Sequence, residues 1–310
     1  SRLLTSIPAM FFSFISIYYF FKSNEENINQ KYFAWAMIFA VLAVIIRFNF
    51  FVLPFSYLII LILTRKLSFL KQKSFWIGGL IGLSPIVLLF IINLMIYGNI
   101  FPAAGIYAQS TTQHPDFAFY TFGFIPHILQ LPFFIIFLAS LLTVILELIL
   151  GMDLISKDKK LNANLFFMVM LLVNLFFLIF IFKYSEDRYL FECLISMIFI
   201  TASGLSSFYN WFKKYGKNLA LSAIIIILAI GTLSQFSFGD NMIKAKSTSF
   251  LQMKQAFEWM GRNLPENSVL IGSGIYPYAV YYAERQNLEP TNLTALDSAF
   301  NESDYVVVHA

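Results

Sequence analysis

Long apolar runs separated by short polar segments make up the first 237 residues of the chain. An α-helix needs roughly 20 apolar residues to cross a bilayer. Six runs approach or exceed that length, at residues 3–21, 75–97, 126–150, 163–182, 189–209 and 218–236. The pattern predicts an α-helical polytopic membrane domain over residues 1–237.

The apolar run at residues 32–63 has a different pattern, because Arg47 and Asn49 stand at its middle. One helix of this length would extend about 48 Å, which is too long for a hydrocarbon core of about 30 Å. A charge at the centre of such a helix would also cost about 2.5–3.5 kcal/mol. The run therefore predicts two short helices, 32–46 and 49–63, that turn at Arg47. This gives about eight spans, with a single long helix as the alternative.

Residues 238–310 mix apolar and polar positions, and they predict a small soluble α/β domain on the outer face. Ser249 is placed to begin a helix. That helix would have one apolar face, formed at three- and four-residue spacing by Phe250, Met253, Phe257, Met260 and Leu264. Runs at 268–272 and 304–309 predict buried strands, with a second helix at 276–284 between them.

Composition supports a membrane protein and excludes a nucleic-acid-binding one. The chain is 59% hydrophobic and only 12% charged, whereas a soluble domain has about 25% charged residues. The net charge is +4, and the basic residues cluster at 65–73, 157–160 and 213–217. Short clusters of this kind mark cytoplasmic loops. With those loops inside, the turn at Arg47 and the segment 183–192 face outwards.

The segment 183–192, KYSEDRYLFE, is strongly polar although apolar runs flank it on both sides. Charge in such a position is costly and is typical of a functional site. Arg188 and Arg47 are predicted on the same face, where a guanidinium can bind a lipid phosphate through two hydrogen bonds. Glu186 and Asp187 are expected to orient Arg188.

Both arginines also have a structural interpretation. Arg188 would pair with Glu192 one helical turn later, or with the neighbouring Asp187 or Glu186. Arg47 would extend its charged end to the membrane interface. The sequence leaves these interpretations open.

A few other polar residues are candidates for chemistry. Asp116 and His114 lie in the segment after the span at 75–97 and can supply a carboxylate and an imidazole to a sugar, with a solvated loop as the alternative. Glu147, Asn93 and Asn174 lie in predicted helices and are expected to form interhelical hydrogen bonds. One cysteine and three scattered histidines predict neither a disulfide framework nor a metal site.

Several short motifs occur in a characteristic order: SRLLTSIPAMFF in the first span, a hairpin at Arg47, NLMIYGNIFP at an outer helix end, and EDRYL before a later span. Together with the α/β tail, this order resembles the polytopic C-type glycosyltransferases (GT-C). Within that superfamily it is most similar to the dolichyl-phosphate-mannose protein mannosyltransferases and the bacterial aminoarabinose and lipopolysaccharide-core transferases.

The resemblance implies transfer of a sugar from a polyprenyl-phosphate carrier to a protein or glycolipid acceptor on the extracytoplasmic face of the cell membrane. It implies that the lipid-phosphate-linked sugar is the donor substrate; no other cofactor is predicted. Arg188 and Tyr189 match the Arg-Tyr pair of the family, and Arg47 matches the basic residue that ends an early hairpin. Tyr97 matches a helix end to which the resemblance gives a structural role.

The family's catalytic Asp or Glu lies in the first outer loop, just after the first span, and no segment here corresponds to it. The catalytic base is therefore expected upstream of residue 1, with Asp116 as the candidate inside the chain, and this chain alone is expected to be inactive. Two alternatives from other classes are a transporter or flippase of lipid-linked glycans and a non-catalytic membrane scaffold.

Overall fold

The computed structural model describes residues 3–24, 27–100, 123–155, 157–182, 190–249, 251–272, 275–288 and 293–307. Contacts within the chain divide it into two compact units, Ser1–Thr232 and Leu233–Ala310. The first unit is helical, and the second contains a small sheet. Each unit is described by itself.

The first unit starts with α1 (Leu3–Ser23), α2 (Gln30–Ile46), a 3-10 turn (Phe48–Phe51), α3 (Val52–Arg65) and α4 (Lys73–Tyr97). It continues with α5 (Ile125–Leu150), α6 (Lys159–Phe176, followed by a π-helical turn at Phe177–Phe182), α7 (Phe191–Phe212) and α8 (Lys217–Ser249), which passes into the second unit.

Six helical segments among the described residues are long and apolar enough to cross a membrane: Phe48–Arg65, Lys73–Tyr97, Ile125–Leu150, Lys159–Phe180, Glu192–Phe212 and Lys217–Lys244. Two further apolar helices, Ile7–Ser23 and Gln30–Ile46, are shorter. The chain is accordingly a helical membrane protein.

Residues 32–63 form two helices, as the arginine at their middle predicts. Arg47 follows α2 with an extended backbone (φ −149°, ψ 109°), and the chain enters α3 through the 3-10 turn. α3 then returns towards the end of α1, where Arg65 Nε donates a hydrogen bond of 2.8 Å to Asn24 Oδ1. The turn moves Arg47 from the middle of an apolar run to a helix end, where its charge is less costly.

The termini of the helices in the first unit lie together at two opposite ends of the unit. α2 and α4 run parallel, because Gly78 lies against Gln30 and Gly82 lies against Met37. α6 starts at the same end as α2, since its Phe166 contacts Phe20 near the end of α1. We call this the lysine end, because it carries Lys22, Lys31, Lys73 and Lys160.

The opposite end carries Arg47, Phe177 and Glu192, and we call it the Arg47 end. Phe177, just after α6, contacts Phe51 of the 3-10 turn at a ring-centroid distance of 4.4 Å. Glu192 lies in the first turn of α7. The basic clusters that the sequence assigns to one side of the membrane thus share one end of the unit, and the turn at Arg47 lies at the other.

The interior between the two ends is mainly apolar and aromatic, with single hydroxyls that are hydrogen-bonded. Phe20 of α1 and Tyr57 of α3 stack with ring centroids 4.0 Å apart. Ser16 Oγ lies 2.6 Å from the Tyr57 hydroxyl and also donates to the carbonyl of Ala36, again at 2.6 Å. These bonds join α1, α2 and α3 in a core where an unpaired hydroxyl would be costly.

The second unit contains α9 (Leu251–Asn263), β1 (Val269–Ile271), α10 (Tyr276–Tyr278, continued by a π-helical turn at Ala279–Ala283), β2 (Gln286–Leu288), α11 (Leu293–Glu302) and β3 (Tyr305–Val306). Its three strands are parallel, in the order β2-β1-β3. The core around the central strand is formed by Phe257, Leu270, Ile275, Ala279 and Ala283.

The sequence predicts part of this unit correctly. The helix after Ser249, the strand at 268–272 and the helix at 276–284 are confirmed, although Ser249 itself ends α8. A strand in 304–309 is confirmed at Tyr305–Val306, but its expected burial is wrong, because β3 is an edge strand and these two residues are 41% and 54% exposed. Residues 308 and 309 lie outside the described residues. β2 and α11 have no clear apolar signal and were not predicted.

Candidate functional site

Arg47 is held at the end of the α2 helix by both its backbone and its side chain. Its N–H donates to the Ala43 carbonyl at 2.9 Å. Its Nε lies 3.3 Å from Oε1 of Glu192, and the two side chains are 12% and 2% exposed, respectively. A largely buried ion pair therefore joins the hairpin turn to the first turn of α7.

Two further buried polar side chains accompany the ion pair. Asn49, in the 3-10 turn, is a polar neighbour of the Glu192 carboxylate, and Ser196 lies one helical turn after Glu192 on the same side of α7. Ser196 Oγ makes no hydrogen bond with any residue that the structure describes. Glu192 Oε1 is in the ion pair with Arg47, and Asn49 lies beside the carboxylate, but neither Glu192 Oε1 nor Asn49 Nδ2 makes a hydrogen bond of regular geometry among the described residues.

This incomplete hydrogen bonding has a free-energy cost. An unsatisfied buried polar group typically costs about 1–3 kcal/mol. Buried groups of this kind are uncommon in native proteins and often mark a place where a ligand, an ion or water binds. The polar cluster formed by Arg47, Asn49, Glu192 and Ser196 is therefore the candidate site at this end, and we call it the Arg47 cluster.

The structure places only some of the residues that the sequence singles out. Six of them lie outside the described residues: Glu186, Asp187, Arg188, Tyr189, His114 and Asp116. The residues on either side of 183–189 are described, and both lie at the Arg47 end: Phe177 contacts Phe51, and Glu192 pairs with Arg47. The described residues that precede and follow 183–189 thus both lie near the Arg47 cluster.

Tyr97 is the last residue of α4 and is 64% exposed. Gly98 follows it in the left-handed conformation (φ 65°) and donates its N–H to the Leu94 carbonyl, a helix ending that favours glycine. Asn93 Nδ2 donates to the Ile100 carbonyl at 3.1 Å, in the segment that follows its own helix, so the expectation of an interhelical hydrogen bond is wrong for Asn93. These contacts end α4 at Gly98 and join Asn93 to the segment that follows the helix.

A second polar cluster lies at the lysine end. Glu147 of α5 accepts hydrogen bonds from Lys160 Nζ (2.8 Å) and Asn164 Nδ2 (3.1 Å) of α6, and from Ser207 Oγ (2.5 Å) of α7. The expectation that Glu147 forms interhelical hydrogen bonds is confirmed. Asn174 instead donates to Met170, within its own helix.

The sequence does not predict the partner of Arg47. Helical spacing places Glu192 one turn after Arg188, and no spacing rule connects it to Arg47. The signals that were present are an acidic residue in the first turn of an apolar helix and the polar Asn49 beside Arg47. A polar residue in the midst of apolar sequence predicts that a partner exists but does not identify it.

The described residues contain no group of three or more His, Cys, Asp and Glu side chains arranged to hold a metal ion. The sequence matches no protein-family model, and neither curated proteins nor solved structures give a match.

Proposed function

We propose that this protein is a membrane glycosyltransferase that takes a sugar from a polyprenyl-phosphate carrier and passes it to a protein or glycolipid acceptor. The Arg47 end faces the extracytoplasmic side, because the lysine end has the basic clusters typical of cytoplasmic loops. In this topology, residues 238–310 form the extracytoplasmic domain. The observation that carries the proposal is the buried Arg47–Glu192 pair at a helix end.

Glu192 is suited to position Arg47 and not to react with a sugar, because its side chain is only 2% exposed and is paired with a cation. A guanidinium held by a carboxylate is preorganised for an anionic ligand such as a phosphate. Arg188 belongs to a segment whose two flanks lie at the same end, and it supplies a second cation for the carrier phosphate. Tyr189 accompanies it.

The distribution of charged residues favours a reaction at one surface of the membrane, and it does not favour transport of a substrate through the helices. Within residues 3–232, each Lys, Arg, Asp or Glu of the described helices stands within about one turn of a helix end. A transport path for a lipid-linked glycan requires polar groups at successive depths. The described interior offers mainly isolated hydroxyls and amides.

Binding of the carrier lipid tests the proposal directly. The chain is reconstituted in nanodiscs, and binding of polyprenyl phosphate is compared with binding of the uncharged polyprenol. We expect Arg188→Gln and Arg47→Gln each to weaken phosphate binding by about tenfold or more, because each removes a charge-assisted hydrogen bond. Lys159→Gln, at the exposed start of α6, is the matched control and should bind as the unsubstituted chain does.

Arg47→Gln also disturbs a buried pair, so its folding is checked by size-exclusion chromatography, and Arg188→Gln provides the independent variant. Unchanged binding in both arginine variants would contradict the proposed site. Transfer is then assayed with the full-length gene product and a broad set of polyprenyl-phosphate sugars. Absence of both sugar transfer and carrier hydrolysis across that set would overturn the proposed activity.

A further inference from the structure

A surface groove lies at the lysine end, between α2 and α4. It has a volume of about 590 Å³ and is lined by the cap and the first three turns of α2 together with Ile81 of α4. The polar part contains Lys31 beside the Asn29 cap, and the apolar part contains Trp35, Ile38 and Ile81. The groove is thus polar at the helix start and apolar farther along the helix.

The length of the groove matches part of a membrane lipid. Lys31 and Ile38 are separated by about 10 Å along α2, at 1.5 Å per residue. That distance covers the headgroup boundary and the upper part of an acyl chain in a leaflet about 15 Å thick. Trp35 and Ile81 are 41% and 46% exposed, so the apolar wall is open to the bilayer. Tryptophan is enriched at this depth of membranes.

The charges that the structure describes around the groove favour an anionic headgroup. Lys31 is exposed, and Lys22 lies nearby with its Nζ 4.5 Å from the ring centroid of Tyr32, the residue after Lys31. Lys73 begins α4 at the same end. The nearest acidic residues along the chain, Glu25 and Glu26, lie outside the described residues.

We propose that this groove binds an anionic phospholipid, with the headgroup phosphate at Lys31 and one acyl chain along Trp35, Ile38 and Ile81. The site is separate from the Arg47 cluster, because α2 places Lys31 and Arg47 about 24 Å apart. It therefore does not depend on the proposed glycosyltransferase activity.

Trp35 provides a reporter inside the groove. The other three tryptophans are replaced (W76F, W211F and W259F), and the chain is reconstituted in phosphatidylcholine vesicles. Brominated phosphatidylglycerol or brominated phosphatidylcholine is then added at rising mole fraction, and quenching of Trp35 fluorescence is measured. Circular dichroism checks that each variant retains its helical content.

We expect brominated phosphatidylglycerol to reach half-maximal quenching at about a fivefold lower mole fraction than brominated phosphatidylcholine. A difference of this size corresponds to the attraction of one lysine to an anionic headgroup. Lys31→Gln should remove this preference, and Lys31→Arg should retain it. Lys217→Gln is the matched control, because Lys217 is also an exposed lysine in the first turn of an apolar helix, and it should retain the preference. Equal quenching by the two lipids, or an unchanged preference in Lys31→Gln, would overturn the proposal.

Discussion

The two polar clusters of the helical unit each pair a carboxylate with a cation, and they differ most in how deeply that pair is buried. At the lysine end, Glu147 accepts hydrogen bonds from three side chains, and the paired side chains of Lys160 and Glu147 are 45% and 26% exposed. At the Arg47 end, the pair is much more buried, and Asn49 and Ser196 have polar atoms without a regular hydrogen bond among the described residues.

This difference separates a structural cluster from a candidate functional one. The Glu147 cluster joins three helices, and its solvent exposure means that the pair adds little free energy beyond its hydrogen bonds. The Arg47 cluster holds its charges and unsatisfied polar atoms in an apolar environment at a free-energy cost. A cost of this kind is typical of a site that is kept for binding.

The largest expected effect is on stability at the Arg47 end. Glu192→Ala removes a buried carboxylate and leaves Arg47, which is 12% exposed, without this counter-charge. We expect the free energy of unfolding to fall by about 3–5 kcal/mol, measured by chemical denaturation in detergent micelles. The double variant Arg47→Met/Glu192→Leu should recover most of the loss, because it removes both charges. Wild-type stability of Glu192→Ala would show that the pair contributes nothing.

An intermediate effect is expected where α2, which ends one residue before Arg47, packs against α4. A Cβ at Gly82 would overlap Met37 Cβ and lie 3.2 Å from Met37 Cα, so Gly82→Ala must displace α2. We expect a loss of about 1–3 kcal/mol in the free energy of unfolding. Gly79→Ala is the matched control, because its Cβ would meet only Phe33 Cε1, at 3.8 Å. Equal stability of the two variants would contradict the close packing.

The smallest effect is expected at the lysine end. Glu147→Ala removes the acceptor of three hydrogen bonds. Lys160 is exposed and can be solvated, whereas the buried Asn164 loses its acceptor. We expect a loss of about 1 kcal/mol, below that of Glu192→Ala. The same denaturation assay measures it, with Lys159→Gln as a nearby exposed control. A loss equal to that of Glu192→Ala would remove the distinction between the two clusters.

Much of the helical unit is predictable from the sequence, because long apolar runs have few alternatives in a membrane. The break at Arg47 is predictable for the same reason: a mid-span charge is costly, and a turn relieves the cost. The second unit is less predictable. The polar β2 strand, Gln286–Leu288, forms because it pairs with β1 in register, and a three-residue strand has no periodic signal of its own.

The candidate site is likewise only partly predictable from the sequence. The sequence by itself determined that the segment 183–192 is polar, and it favoured a helix end at Arg47 over one long helix, since both follow from local hydropathy. Only the tertiary structure decided that Glu192 pairs with Arg47, that Glu147 joins α5, α6 and α7, and that a groove opens beside Lys31. Such contacts depend on how helices that are distant in sequence pack against each other. The hydropathy pattern does not distinguish one packing of these apolar helices from another.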